Sequence, residues 1–391
     1  MSKRKGHRHQ APLADLCSGS PLSGSGFTGA RRLRIATIEQ HQAGGSMFER
    51  STVFIVGAGA SREVNFPMGA ELTGIIANKV RIAFSNGRDP TSGDNRVVSA
   101  IQHHLNQKGE RDGNPYYRAG RDIASGMAQA ISIDNYLHAH AEEEIITWVG
   151  KLGIAASILE AERRSKLAPH RDRETVDLSA VSNSWYTPFF QMLTEGVQRT
   201  ALDGIFDNVA FITFNYDRCI EHCLMHALAN YFRIDHREAE ALVHQLRIEH
   251  PYGQVGRLPW QKPGGSTAFG KDFQGHELPG IAEKIRTFTE RTEDGDMLAR
   301  TRRLISEAEI VVYLRFSYGD MNMELLSVDQ AGERSIFGTS LGISAPNKKV
   351  IERDIINSMG PDPDAVKSIE LADMTCADFL RAYWKPIMRG M

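Results

Sequence analysis

Three stretches of this chain are apolar at nearly every position: Ser51 to Val56, Val209 to Phe214 and Glu309 to Phe316. Runs of this length, rich in β-branched and aromatic side chains, predict strands buried on both faces, as in the interior of a parallel sheet. Between them apolar residues recur at helical spacing over Ala70 to Phe84, from Tyr136 to Val149 behind the capping stretch Ser132-Ile133-Asp134, over Leu152 to Ala161, Trp185 to Val197 and Ile220 to Tyr231. Leu246 to His250 is a shorter extended piece halted by Pro251-Tyr252-Gly253. Later come helical patterns at Ile281 to Arg291 and Arg300 to Glu307, a further strand at Ile336 to Ile343 and a closing helix at Leu371 to Tyr383. Residues 85 to 121 carry Gly, Asn, Asp and Arg clusters around one short amphipathic stretch, Val97 to Leu105, and predict a surface excursion; residues 254 to 280 predict a Gly/Pro-rich loop. Strands separated by helices predict an α/β fold on a parallel sheet, with a helical insert at about 122–204 and no internal repeat.

Composition narrows the function classes. The 391 residues are enough for one large domain or two modest ones, and 41% hydrophobic content is that of a folded globular chain. A formal net charge of -2 offers no chain-wide field for a nucleic-acid backbone, and no apolar run approaches the roughly 18 residues that a membrane span needs. The four cysteines, Cys17, Cys219, Cys223 and Cys376, are too sparse for a disulfide framework and fit a reducing cytoplasm. Residues 1–46 are rich in Ser, Gly, Arg and His, with only Asp15 and Glu39 as acids, and are expected to form a disordered extension outside the fold. A transit peptide shares that composition, as does a leader or a start codon misplaced ahead of Met47.

The chemistry concentrates at strand ends. After the first strand comes Gly57-Ala58-Gly59-Ala60-Ser61, whose paired glycines suit a backbone that approaches a pyrophosphate. Arg62 stands where the third glycine of a dehydrogenase fingerprint belongs, which disfavours an ordinary hydride-transfer domain. Ser61 is equally suited to a phosphate contact or a helix cap. Asn215-Tyr216-Asp217 follows the second strand, where parallel sheets deliver side chains to a ligand crevice, although Asn and Asp are also turn and cap residues. His250 ends the short extended piece, and a histidine near its ordinary pKa of about 6.5 suits proton transfer.

The order of these parts resembles the sirtuin superfamily: a glycine-rich turn, a strand ending in Thr-x-Asn-x-Asp, a His-x-x-Gly, and a later strand ending in Ser. The resemblance covers segments 51–72, 207–221, 246–253 and 309–345, together with Ser132-Ile133-Asp134 and Phe337 to Gly342. It implies a Rossmann-like parallel sheet and NAD as ligand. Gly57, Ala58, Gly59 and Ser61 would meet the phosphates, Thr213 and Asn215 the nicotinamide ribose, and Asp217 the carboxamide. His250 would be the catalytic histidine beside Asn215; Ser317 would lie near the adenosine half, with Asn322 in the same loop. Asp134 is expected to be a structural cap.

The departures from that family carry as much information. No Cys-x-x-Cys pair is present, so the family's zinc module is missing; Cys219, His222, Cys223 and His226 share one helix, which does not close a tetrahedral site, and no metal is expected. Phe66-Pro67-Met68-Gly69 replaces Pro-Asp-Phe-Arg, and Arg315 replaces the late-strand glycine. These losses fall on acyl-lysine recognition and leave NAD handling. They match the bacterial sirtuin-like proteins that hydrolyse NAD during antiphage defence. The resemblance therefore implies an NAD glycohydrolase that is latent until homo-oligomerisation or a separate activating protein, argonaute-like or a DNA-translocating ATPase, releases it. With no sensor domain after the fold, sensing is expected to lie in that partner. An NAD-dependent protein deacylase and a non-catalytic NAD or ADP-ribose binding module are the alternatives.

Overall fold

The computed structural model describes residues 47–390 except 86–88, 171–174 and 263; the expected extension at 1–46 lies outside the described residues. Six strands form one sheet: β1 (Thr52–Val56), β4 (Val209–Thr213), β5 (Arg247–Glu249), β6 (Ile310–Leu314), β7 (Arg334–Thr339) and β8 (Val366–Ala372), while β2 (Ala83–Ser85) and β3 (Asp89–Ser92) pair as a separate ribbon. All pairings in the large sheet are parallel, in the order β5-β4-β1-β6-β7-β8. Numbering only these six along the chain gives 3-2-1-4-5-6, the order of Rossmann-like sheets. Every residue of β1, β4 and β6 is buried, which is why they read as continuous apolar runs. Phe54 of β1 stacks on its register partner Phe211 of β4, with ring centroids 5.3 Å apart, and Phe189 closes on both edge-to-face.

The helices are α1 (Ala58–Ser61), α2 (Gly69–Val80), α3 (Asn95–Lys108), α4 (Asn114–Gly126), α5 (Ile133–Ala139), α6 (Glu144–Arg164), α7 (Tyr186–Thr194), α8 (Cys219–Phe232), α9 (His236–Val243), α10 (Leu278–Ala282), α11 (Phe288–Glu293), α12 (Gly295–Ser306), α13 (Asp320–Leu326), α14 (Ala345–Ser358) and α15 (Cys376–Arg389). They flank the sheet, and α2, α4 and α6 pack on one another. Several expectations are corrected. Residues 95–126 are not a surface excursion: they form α3 and α4, whose Val97, Ile101, Leu105, Tyr116 and Ile123 are buried core residues. The pattern from Ala70 stops at Val80, and Ala83–Ser85 turns into the β2 ribbon. The pattern at Ile281 to Arg291 divides between α10 and α11, and the strand expected over Ile336 to Ile343 runs Arg334–Thr339. Leu371 belongs to β8, and the closing helix starts at Cys376, where Thr375 caps it. The helices α9, α13 and α14 and the strand β8 are additional.

Candidate functional site

The register of the three central strands sets the site. Val56 is level with Thr213 on one side and Leu314 on the other, so the chain leaves β1, β4 and β6 side by side at the carboxyl edge. The strand order reverses here, between β1 and β6, and in such sheets the crevice outside this point is the usual ligand site. A cavity of about 700 Å³ occupies it, a size ordinary for a small-molecule or cofactor site. Gly57, Ala58, Gly59, Ser61, Asn215, Asp217, Ser317 and Asn322 all line this cavity. Thr213 does not: it is buried at the end of β4, and its hydroxyl accepts from the Asn215 N–H at 3.3 Å.

The two glycines have a local cause. A Cβ on Gly57 would stand 2.5 Å from the Arg315 carbonyl oxygen and 2.7 Å from Phe316 Cα, and one on Gly59 would stand 2.9 Å from Arg315 Cβ. The chain leaving β6 passes directly over the turn, and only a missing side chain lets it. The Gly57 N–H is itself donated to the Leu314 carbonyl at 3.0 Å. The turn runs directly into the four-residue α1, followed by a 3-10 turn at Arg62–Val64.

Behind the turn runs a buried polar chain. Asn215 Nδ2 donates to Ser61 Oγ at 2.9 Å, and Ser61 Oγ donates to Asp217 Oδ2 at 2.8 Å. With Asp217 ionised, the one Ser61 proton is spent on it, so Ser61 can only accept from Asn215; this fixes the amide orientation and leaves Asn215 Oδ1 buried with no partner among the described residues. Asp217 Oδ1 accepts from the Cys219 N–H at 3.1 Å. Burial raises the Asp217 carboxyl above the ordinary aspartate value, and the Cys219 and Ser61 donors hold part of that rise back. Asp134 is not the expected cap: Ser132 caps α5 through the Asn135 N–H, and Asp134 accepts from the Tyr216 hydroxyl. Asn322 accepts from the Tyr252 hydroxyl at 2.8 Å.

His250 stands apart from this group. It follows β5, level with Thr213 but one strand farther from the turn, and lines an adjoining cavity of about 790 Å³ with Glu221, Gln254 and Gln261. The two cavities share no lining residue among those described. Their link is the Asn215 carbonyl, 3.4 Å from His250 Nδ1, while His250 Nε2 lies 3.2 Å from Glu221 Oε1. Burial alone would lower the His250 pKa; the Glu221 carboxylate and the Asn215 carbonyl reverse this and raise it above the ordinary histidine value. Both ring nitrogens face acceptors, an arrangement satisfied at both ends by the imidazolium. Glu221 is only 1% exposed, and its Oε2 has no partner among the described residues. Glu221 is not among the residues the sequence singles out, although its place one helical turn after Asp217 is a usable signal.

The Cys219 to His226 cluster is structural. Its helix face is buried, His222 Nε2 bonds the Leu167 carbonyl at 3.1 Å and its ring stacks on Phe269. Burial takes His226 down to about 4 and the Cys223 thiol up to about 12. Among the described residues no group of three or more His, Cys, Asp or Glu side chains is placed to hold a metal, and no helix is long and apolar enough to cross a membrane.

No family model and no curated protein matches this chain. One solved structure to which it is similar is a Sir2 homolog–NAD complex, 11% identical with a TM-score of 0.36, the likeness covering 88% of this chain and 91% of that one.

Proposed function

We propose that the switch-point cavity binds NAD and that the protein hydrolyses the nicotinamide–ribose bond to give ADP-ribose and nicotinamide. The observation that carries this reading is the unpartnered, buried Asn215 Oδ1. Leaving such an acceptor unsatisfied costs about 1–3 kcal/mol, a cost that a bound hydroxyl or water would remove. An NAD seated there supplies a good leaving group, the neutral nicotinamide, on a ribose carbon that water can attack. Asn215 orients a ribose hydroxyl and the attacking water, and the Ser61–Asp217 pair holds the Asn215 amide in place. His250, once its own proton is lost, is the general base of this reading, and to take the proton of that water its imidazole must reach it from the adjoining cavity directly or through one water. The finer features, a latent antiphage effector, homo-oligomeric and released by a partner protein, rest on the family resemblance alone.

A second reading is favoured by one observation. His250 lines the other cavity with its pKa raised by the Glu221 carboxylate, which fits a module that binds NAD or ADP-ribose without breaking it. Chromatography of NAD incubated with the protein, with and without an acyl-lysine peptide, separates the readings. Hydrolysis predicts peptide-independent nicotinamide, falling about 10²–10⁴-fold in His250→Ala; intact NAD with measurable binding supports the silent module. Undiminished release in both Asn215→Ala and His250→Ala sinks the assignment.

A further inference from the structure

We infer that Arg315 supplies the positive charge that recognises the diphosphate of a ligand in the switch-point cavity. The inference rests on the reading of this cavity as a dinucleotide site and adds the group that selects the phosphates. Among the described residues lining it, Arg315 is the one lysine or arginine, against three acids, Asp134, Asp217 and Asp320. Without that cation the cavity would repel a doubly charged diphosphate.

The arginine is held there at a conformational cost and without an anion. Its φ of 47° lies in the left-handed region, strained for a side chain of this size and a frequent mark of functional positions. Its backbone N–H donates to Thr339 Oγ1 at 2.7 Å, which fixes the strained turn. The half-buried guanidinium donates to the Leu341 carbonyl at 2.8 Å and lies 3.8 Å from the Met68 sulfur, and no carboxylate among the described residues pairs with it. Its Nε stands 3.1 Å from where a Gly59 Cβ would be, so the charge lies beside the glycine turn. A planar fork of donors with most of its capacity unspent suits a diphosphate, whose oxygens it can meet two at a time. The glycine turn, with its short α1 and its first N–H already donated, offers little of that charge itself.

The test is calorimetric titration of the full chain with ADP and with adenosine, for the wild type, Arg315→Gly and Arg315→Lys. Glycine relaxes at this positive φ, so Arg315→Gly is expected to keep its melting temperature, and the lysine variant keeps the charge without the fork. The expected result is ADP bound more tightly than adenosine by the wild type. In Arg315→Gly the ADP affinity falls at least tenfold, about 1.4 kcal/mol, with adenosine within twofold, and Arg315→Lys lies between. ADP binding that changes less than twofold in Arg315→Gly, or a wild type that does not prefer ADP, overturns the inference. Loss of ADP in Arg315→Gly with no nicotinamide ever released would sink the hydrolase reading alone. Nicotinamide release with unchanged ADP affinity and unchanged KM for NAD would sink this inference alone.

Discussion

Among the contacts that raise the His250 pKa against burial, the one with Glu221 is the largest. With both ring nitrogens opposite acceptors, the imidazolium is stabilised by Glu221, whose own carboxyl is held below the usual glutamate value; burial opposes that lowering and the His250 charge outweighs it. A base must first be neutral, so kcat/KM for NAD is predicted to rise with pH through a midpoint above the ordinary histidine value of about 6.5. In Glu221→Gln only the Asn215 carbonyl and the Asp217 charge oppose burial at His250, and the midpoint is predicted to fall relative to wild type; an unmoved midpoint contradicts the pairing. Stability follows the same groups. The raised His250 contributes fully below its unfolded pKa and loses that contribution as pH rises through the folded one. Glu221, lowered, contributes above its unfolded pKa and loses it as pH falls through the folded one. The pair is therefore at full strength between roughly pH 4.3 and 6.5. Thermal unfolding across pH should show Glu221→Gln costing most in that window and less at pH 9.

Among the elements, the β1 turn was legible in sequence and its cause was not. Paired glycines after a buried strand are visible in any reading, and the strand is there. That Gly57 is glycine because the Arg315–Phe316 backbone crosses it depends on a contact between residues more than 250 positions apart. Gly57→Ala is accordingly predicted to destabilise by about 1–3 kcal/mol through overpacking. Gly69→Ala at the start of α2, where a Cβ would meet nothing within 4 Å, is predicted to be neutral or slightly stabilising. Denaturant midpoints measure both, and equal midpoints refute the packing account. The same distinction runs through the fold. β1, β4 and β6 announced themselves because both their faces are buried. β8, only partly buried at the sheet edge, and α14, with Ile355 and Ser358 as its buried residues, carry weak periodicity and escaped notice. At the site, the position of Asn215 and Asp217 at the end of a buried strand was legible, and it is the register of β4 against β1 that brings them to the turn; the separation of His250 into another cavity follows from the edge position of β5 and from no local pattern.

Across the whole molecule, the helical layer is tied to the site by an ion pair in the interior. Glu162 of α6 and Arg218, the residue after Asp217, pair with both side chains fully buried, and Arg218 also donates to the Thr267 carbonyl. Removing one partner strands the other charge: Glu162→Leu is predicted to cost about 3–5 kcal/mol, and the double variant Glu162→Leu with Arg218→Met less than that single one. Equilibrium unfolding of the set checks the order, and a double variant less stable than Glu162→Leu contradicts it. This layer and the parallel sheet together hold one polar acceptor, Asn215 Oδ1, unsatisfied at the point where the strand order reverses. The most direct test is nicotinamide released from saturating NAD by wild type and Asn215→Ala, at protein concentrations high enough to favour self-association. The account predicts release by the wild type and a fall of about a hundredfold or more in the variant, with the melting temperature retained. Equal release from the two proteins would contradict it.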